Sequence, residues 1–252
     1  MNHTKINNPW LIFPKPNPQA KLRLFCFPYA GGGAGIFREW YKELNTKIEV
    51  CAVQLPGREN RLSEPAFNRL QPLINALSQA ILPNLNQPFA FFGHSMGGLI
   101  CFELARYLQQ VYGLTPVHLF VSGASAPHIP ETKPPINNLP TLEFLQELCR
   151  FNGTPDAILE NSELMELMSP TLRSDFAVLE TYIYTKFAPL SCAITAFGGL
   201  ADVEVYQAEL VAWQEHTISD FSLQMLPGNH FFIHENRLQL LDLLSQYTAL
   251  YI

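Results

Sequence analysis

The pentapeptide Gly93-His94-Ser95-Met96-Gly97 constrains this chain more than any other feature, because of what stands on either side of it. The apolar run Pro88–Phe92 precedes it. After it, Met96–Tyr112 sets Leu99, Phe102, Leu104 and Leu108 at helical spacing and stops at Gly113. Alone, G-x-S-x-G is a weak signal, met by chance in roughly one chain in ten at this length. Between a strand and a helix it reads differently. Small flanking residues permit a sharp turn that lifts a serine hydroxyl above the edge of a sheet. The backbone N–H of Met96, at the start of the helix, would then point toward a nearby oxyanion.

The rest of the chain supplies a frame for such a turn. Leu22–Phe27, Val50–Leu55, Pro88–Phe92, Val117–Val121, Ser191–Phe197 and Phe221–Leu226 are of strand length and almost continuously apolar. Strands buried on both faces of a parallel sheet have this pattern. Helical patterns over Phe67–Leu82, Met96–Tyr112 and Arg237–Leu250 lie between or after them. Alternation of this kind predicts a wound α/β sheet, mostly parallel and flanked by helices. One stretch breaks it. From Pro127 to Pro189, roughly sixty residues separate two strands, about twice what a crossover needs. Leu142, Leu145 and Leu148 form one helical pattern there, Leu164, Leu167 and Met168 a second, and Phe176, Leu179 and Tyr182 a third, with a turn at Asn152-Gly153-Thr154-Pro155. Such an insertion reads as a helical lid, the alternative being extra helices packed on the sheet edge. The predicted division is a first core segment, 1–126, with an extended arm over 1–20; the insertion, 127–189; and a second core segment, 190–252.

A serine hydroxyl becomes nucleophilic only when a base takes its proton. In a strand–elbow–helix architecture the base lies on the loop after the last strand, in the order Ser…Asp/Glu…His. His230 follows Phe221–Leu226 and the turn Pro227-Gly228-Asn229, and His234 is the runner-up. The third member is sought after an intervening strand. The loop after Val117–Val121 has no carboxylate before Glu131, whereas Gly198-Gly199-Leu200-Ala201 leads directly to Asp202, with Glu204 as the alternative. Ser95, His230 and Asp202 are therefore the candidate triad. A second oxyanion donor is expected from the loop after an early strand, and the N–H of Ala30 in Tyr29-Ala30-Gly31-Gly32-Gly33 fits. Those glycines fit neither a Gly-Lys-Ser/Thr phosphate loop nor a G-x-G-x-x-G register.

Composition removes other classes. A net charge of −6 argues against a nucleic-acid partner. No apolar run approaches the roughly 20 residues a membrane span needs. The Pro-interrupted start has no signal-peptide form. Five scattered cysteines without a C-x-x-C pair suit a reduced, cytoplasmic chain with no metal site.

Taken together, the motifs resemble a family. Phe27-Pro28-Tyr29-Ala30-Gly31-Gly32, Gln54-Leu55-Pro56-Gly57-Arg58-Glu59 with Arg61 and Glu64-Pro65, Gly93-His94-Ser95-Met96-Gly97-Gly98, Leu172-Arg173-Ser174-Asp175-Phe176 and Gly228-Asn229-His230-Phe231-Phe232 are similar in order and content to the type II thioesterases of nonribosomal peptide and polyketide synthesis. The chain departs from that pattern at Asn229, often Gly, and at Ser174, commonly Ala. The resemblance implies an α/β-hydrolase fold. It also implies hydrolysis of acyl or aminoacyl thioesters on the phosphopantetheine arm of acyl or peptidyl carrier domains, with no metal or cofactor of the enzyme's own. Arg58, Arg61 and Arg173 are candidates to assist docking of an acidic carrier, the alternatives being solvated surface groups or internal salt bridges. A medium-chain fatty acyl-carrier thioesterase, a small-molecule esterase and a cyclising release domain are the alternatives. A start at Met1 without a preceding carrier domain suits a free-standing, monomeric enzyme.

Overall fold

The computed structural model describes residues 8–151 and 161–252. Seven strands form one sheet: β1 Leu11–Ile12, β2 Leu22–Phe27, β3 Ile48–Val53, β4 Phe89–His94, β5 His118–Ser122, β6 Ala193–Gly199 and β7 Phe221–Leu226. Their spatial order is β1-β3-β2-β4-β5-β6-β7. Every pairing is parallel except β1 with β3, where Leu11 lies opposite Val53. The N-terminal arm thus adds a short antiparallel edge strand where the sequence predicts only extended chain. Helices α1 (Leu70–Ile81), α2 (Met96–Tyr112), α3 (Thr141–Phe151), α4 (Ser162–Glu180), α5 (Gln207–Val211), α6 (Phe232–Glu235) and α7 (Arg237–Thr248) complete the fold. No helix among the described residues is long and apolar enough to cross a membrane.

Side chains alternate across each strand and build two cores. Phe25, Phe27 and Phe91 face α1 and α2 through Leu73, Leu77, Leu104 and Leu108. Leu22, Leu24, Phe92 and Phe120 face the other way, toward Leu240, Leu241 and Leu244 of α7. Helix α2 ends where the sequence predicts, with Gly113 in the left-handed region at φ 64°. β3 begins two residues earlier than its apolar run. Glu49 is buried there because Arg23 pairs with it at 2.7 Å.

The insertion differs in detail from its predicted patterns. Helix α4 is continuous from Ser162 to Glu180, so two predicted patterns belong to one helix that runs through Pro170. On α3 the inward face is Phe144 and Leu148 rather than Leu142, which is 69% exposed. With Ile136, Met165 and Leu172 they form a third, separate apolar cluster. The turn expected at Asn152–Pro155 lies outside the described residues.

His118, on β5, is buried with its Nε2 2.8 Å from Thr195 Oγ1 and its ring stacked on Phe120. Burial disfavours the imidazolium and pushes its pKa from 6.5 down to about 4. Below about pH 6.5 the unfolded chain takes up a proton that the folded chain refuses. This contribution to stability is therefore complete above pH 6.5 and lost as pH falls toward 4. It amounts to about 3 kcal/mol at about 1.4 kcal/mol per pH unit. Urea unfolding between pH 7 and 4 is expected to show a shallower decline for His118→Gln than for the parent. Parallel profiles would remove His118 from the account.

Candidate active site

The strand order reverses between β2 and β4, and that is where open α/β sheets form a crevice beyond the carboxyl ends of their strands. Phe27 pairs with Gly93, so the glycine-rich turn after β2 and the turn after β4 leave the sheet side by side. Ser95 stands at φ 54°, ψ −118°, a strained conformation for a residue with a side chain. Its own N–H donates to Ser122 O at 2.7 Å, and its carbonyl accepts from Gly98 N at 2.9 Å. The elbow closes only because its flanks lack side chains. A Cβ on Gly97 would collide with Phe27 O, and one on Gly93 with Gly97 O. Both obstacles are backbone atoms, so neither can move aside cheaply. Gly97→Ala is expected to yield an insoluble protein or one with a greatly lowered melting temperature, checked by thermal unfolding.

Asp202 and His230 come from neighbouring strand ends, where β6 and β7 pair through Gly199 and Leu226. The loops are tied together by Leu200 N–H to Leu226 O at 2.8 Å and Ala201 N–H to Gly228 O at 2.9 Å. His230 Nδ1 lies 2.9 Å from Asp202 Oδ2. The other carboxylate oxygen accepts the N–H groups of Glu204 at 2.8 Å and Val205 at 3.2 Å. Burial opposes ionisation of Asp202, but the hydrogen bond and charge of His230 and these two donors outweigh it. Its pKa lies below the ordinary value. Asp202 is thus held as an anion against the imidazole. Among the described residues, the Ser95 hydroxyl makes no hydrogen bond; it shares a cavity with His230 and Ala30.

His94 and His234 take other places near the site. His94 is fully buried beneath the site, its Nδ1 2.9 Å from Ser122 Oγ and its ring 5.2 Å from that of His230. Burial, with His230 beside it, pushes its pKa well down, so it stays neutral as a support. His234 faces Tyr29, Nε2 to hydroxyl at 3.1 Å, and not Asp202. Glu204, the alternative acid, takes Lys133 at 2.6 Å and Arg150 at 2.8 Å. The departure at Asn229 supplies a side-chain acceptor for Phe231 N–H at 2.9 Å, and Ser174 bonds back to Pro170 O.

The cavity measures about 710 Å³, within the range of small-molecule sites. Leu99, Ile129, Ile136, Leu172, Phe176 and Leu179 give it apolar walls, and Lys133, Glu147, Arg150 and Glu204 add charged groups. Most of the outer wall comes from residues 127–184.

The arginines named for docking do not face solvent freely. Arg58 and Arg61 are buried. Arg61 pairs with Glu64 at 2.5 Å and lies over the ring of Trp10. Arg173 donates to Asn137 O and Leu139 O and lies over Phe144. Arg58 and Arg61 serve in internal ion pairs, and Arg173 in hydrogen bonds to backbone carbonyls. Asp175, absent from the candidate site residues, pairs with Arg58 and reaches the glycine-rich turn. Its segment is visible as a motif, but a partner 117 residues away leaves no periodic trace.

Comparison with known proteins bears on the family and the fold. A family model described as "Thioesterase domain" matches residues 22–248. Linear gramicidin dehydrogenase LgrE of Brevibacillus parabrevis is 48% identical over 246 residues, covering 96% of this chain and 94% of that protein. Gramicidin S biosynthesis protein GrsT of Aneurinibacillus migulanus is 47% identical over 243 residues, covering 96% and 95%. The term dehydrogenase is part of LgrE's name and is said of that protein alone. Among solved structures, the type II thioesterase BorB from the borrelidin biosynthetic cluster superposes with a TM-score of 0.86 at 34% identity, covering 94% of this chain and 96% of that one. The chain belongs to the thioesterase family, as an α/β-hydrolase-fold member akin to the type II enzymes of nonribosomal peptide and polyketide synthesis.

Proposed function

We propose that this protein hydrolyses acyl or aminoacyl thioesters from the phosphopantetheine arm of carrier domains, clearing misprimed or stalled units and restoring the free thiol. Ser95 Oγ attacks the thioester carbonyl while His230 Nε2 takes its proton, and Asp202 holds the imidazole by Nδ1 and stabilises its cation. The oxyanion is received by the N–H groups of Met96 and Ala30. His230 returns the proton to the departing sulfur, which leaves as the arm's thiol. A water molecule, deprotonated in turn by His230, then releases the acid from acyl-Ser95. Substrate completes the Ser95–His230 contact, as catalytic hydrogen bonds often tighten only in the bound state. The reaction as written draws on protein groups alone, and phosphopantetheine enters as part of the substrate. The described residues of 127–189 serve as the cover of the cavity, and the enzyme works in the cytoplasm as a monomer.

The observation that carries this reading is the cavity itself. It brings Ser95, His230 and Ala30 to one apolar chamber wide enough for an acyl chain. Ester and thioester hydrolysis share a tetrahedral intermediate, so substrate choice needs its own measurement. Acetyl-, aminoacyl- and octanoyl-carrier proteins, matched against p-nitrophenyl esters, should be hydrolysed with the higher kcat/KM. A preference for the simple esters would move the protein to the small-molecule esterases. A sharp preference for octanoyl over aminoacyl groups would make it a fatty acyl-carrier thioesterase.

A further inference from the structure

The turn carrying Ala30 is gripped from outside the sheet. Gly32 N–H donates to Tyr29 O at 2.9 Å, closing a turn whose third residue, Gly31, stands at φ 77° as a type II turn requires. Peptide planarity then governs the Ala30 N–H. It shares a plane with the Tyr29 carbonyl and lies trans to it, so fixing that carbonyl aims the N–H the opposite way. The next N–H, that of Gly31, donates to Asp175 Oδ2 at 2.7 Å. Further along, Ala34 N–H donates to Gln54 Oε1 at 2.9 Å and Gly35 N–H to Glu59 Oε1 at 3.0 Å. From Ala30 to Gly32, only the Ala30 N–H has no partner among the described residues, and Ala30 lines the cavity of Ser95.

Asp175 lies on α4 and is 2% exposed. Its two oxygens each take one Nη of Arg58 at 2.7 Å. Arg58, 6% exposed, also donates from Nη1 to Gly32 O at 3.1 Å and from Nε to Pro56 O at 3.2 Å. The pair therefore holds the turn at both a donor, Gly31 N–H, and an acceptor, Gly32 O. Leu172, one turn earlier on α4, lies 2.5 Å from where a Gly31 Cβ would stand, so the helix presses directly on the turn.

Stability alone is a poor reason to keep such a pair. Buried ion pairs are often replaced by apolar residues of similar volume without loss. Positioning is a better reason, because a hydrogen bond to a charged acceptor is roughly twice as strong as a neutral one. A lone carboxylate this close to a developing oxyanion would oppose it, and the bidentate Arg58 cancels that charge. We propose that Asp175 and Arg58 are positioning residues for the oxyanion donor Ala30, setting its N–H before substrate arrives. This rests on the catalytic roles proposed above for Ser95, His230 and Ala30.

The test compares Arg58→Met/Asp175→Leu, which removes both charges, with Asp175→Asn, which keeps an acceptor for Gly31 N–H. The substrate is octanoyl-N-acetylcysteamine. Its trifluoromethyl ketone analogue mimics the oxyanion, and the plain methyl ketone mimics the ground state. The double variant should fold, by circular dichroism, and lose about 100-fold in kcat, within the range for one oxyanion donor. Its affinity for the trifluoromethyl ketone should fall by a similar factor, with KM and methyl ketone binding within about threefold of the parent. Asp175→Asn should lose about three- to tenfold in kcat, again with KM unchanged. A folded double variant with parental kcat and parental trifluoromethyl ketone affinity overturns the inference, as does a rise in KM alone. If the double variant does not fold, Asp175→Asn decides by the same split between kcat and KM. Ser95→Ala run in parallel separates the two levels: full activity there sinks the catalytic reading, whereas an inactive Ser95→Ala beside fully active pair variants sinks only this one.

Discussion

Ser95→Ala is expected to lower kcat for carrier-bound thioesters by about a million-fold, the scale seen when the nucleophile of a serine triad is removed. The reason is chemical rather than steric. Alanine leaves the elbow, the cavity and the Asp202–His230 pair in place, but provides no oxygen on which the acyl group can wait. Carrier binding should survive, because the cavity wall does not depend on the hydroxyl. Alanine also suits the backbone no worse than serine at φ 54°, so the melting temperature should change little. Single-turnover kinetics with mass spectrometry is the check: the parent should show an acyl adduct on Ser95 and the variant none. A variant that still hydrolyses thioesters at the parental rate would require another nucleophile and end the triad reading.

Asp202→Asn should cost about 10⁴-fold in kcat, as in the serine protease triads. Asp202 Oδ2 accepts from His230 Nδ1, which leaves Nε2 free of hydrogen and able to accept the serine proton. An asparagine in the same place can turn its NH₂ toward Nδ1. That favours the tautomer with hydrogen on Nε2, the wrong nitrogen. The loop itself gives the amide a reason to turn so. Glu204 N–H and Val205 N–H require an oxygen at the Oδ1 position, leaving the NH₂ to face His230. KM should stay within a few-fold, since neither atom touches the acyl chain. A kcat within tenfold of the parent would mean that Asp202 holds the loop and does not direct the base.

The sheet is legible in the sequence because its inner strands are buried on both faces, and continuous apolar runs set between helical patterns suit little else. The proposed triad is legible for a different reason. The fold places each proposed member on a loop after a strand end, so chain order narrows seven histidines to His230 and its runner-up His234, and offers Asp202 as the nearest carboxylate after β6. What escapes the sequence is long-range pairing. Glu49 looks like a strand boundary because nothing local announces Arg23 as its partner. β1 is two residues long and exists only through pairing with β3. Arg58 suits surface docking as far as its neighbours in sequence show, because its acid lies on α4. The insertion resists on other grounds: its apolar residues serve both a small interior and a cavity wall. Leu164 and Leu167 belong to neither and are exposed where a simple amphipathic count would bury them.

The separate cluster of Ile136, Phe144, Leu148, Met165 and Leu172 bears on how such enzymes diversify. Ile136, Leu148 and Leu172 also line the chamber beside Ser95, whereas neither sheet core depends on the cluster. Drift in that patch can therefore reshape which acids are released while the machinery that releases them is inherited intact. A gene copy captured by a new biosynthetic cluster would need to revise a few contacts on α3 and α4 to acquire a new clientele, with Leu172 the exception because it also braces Gly31.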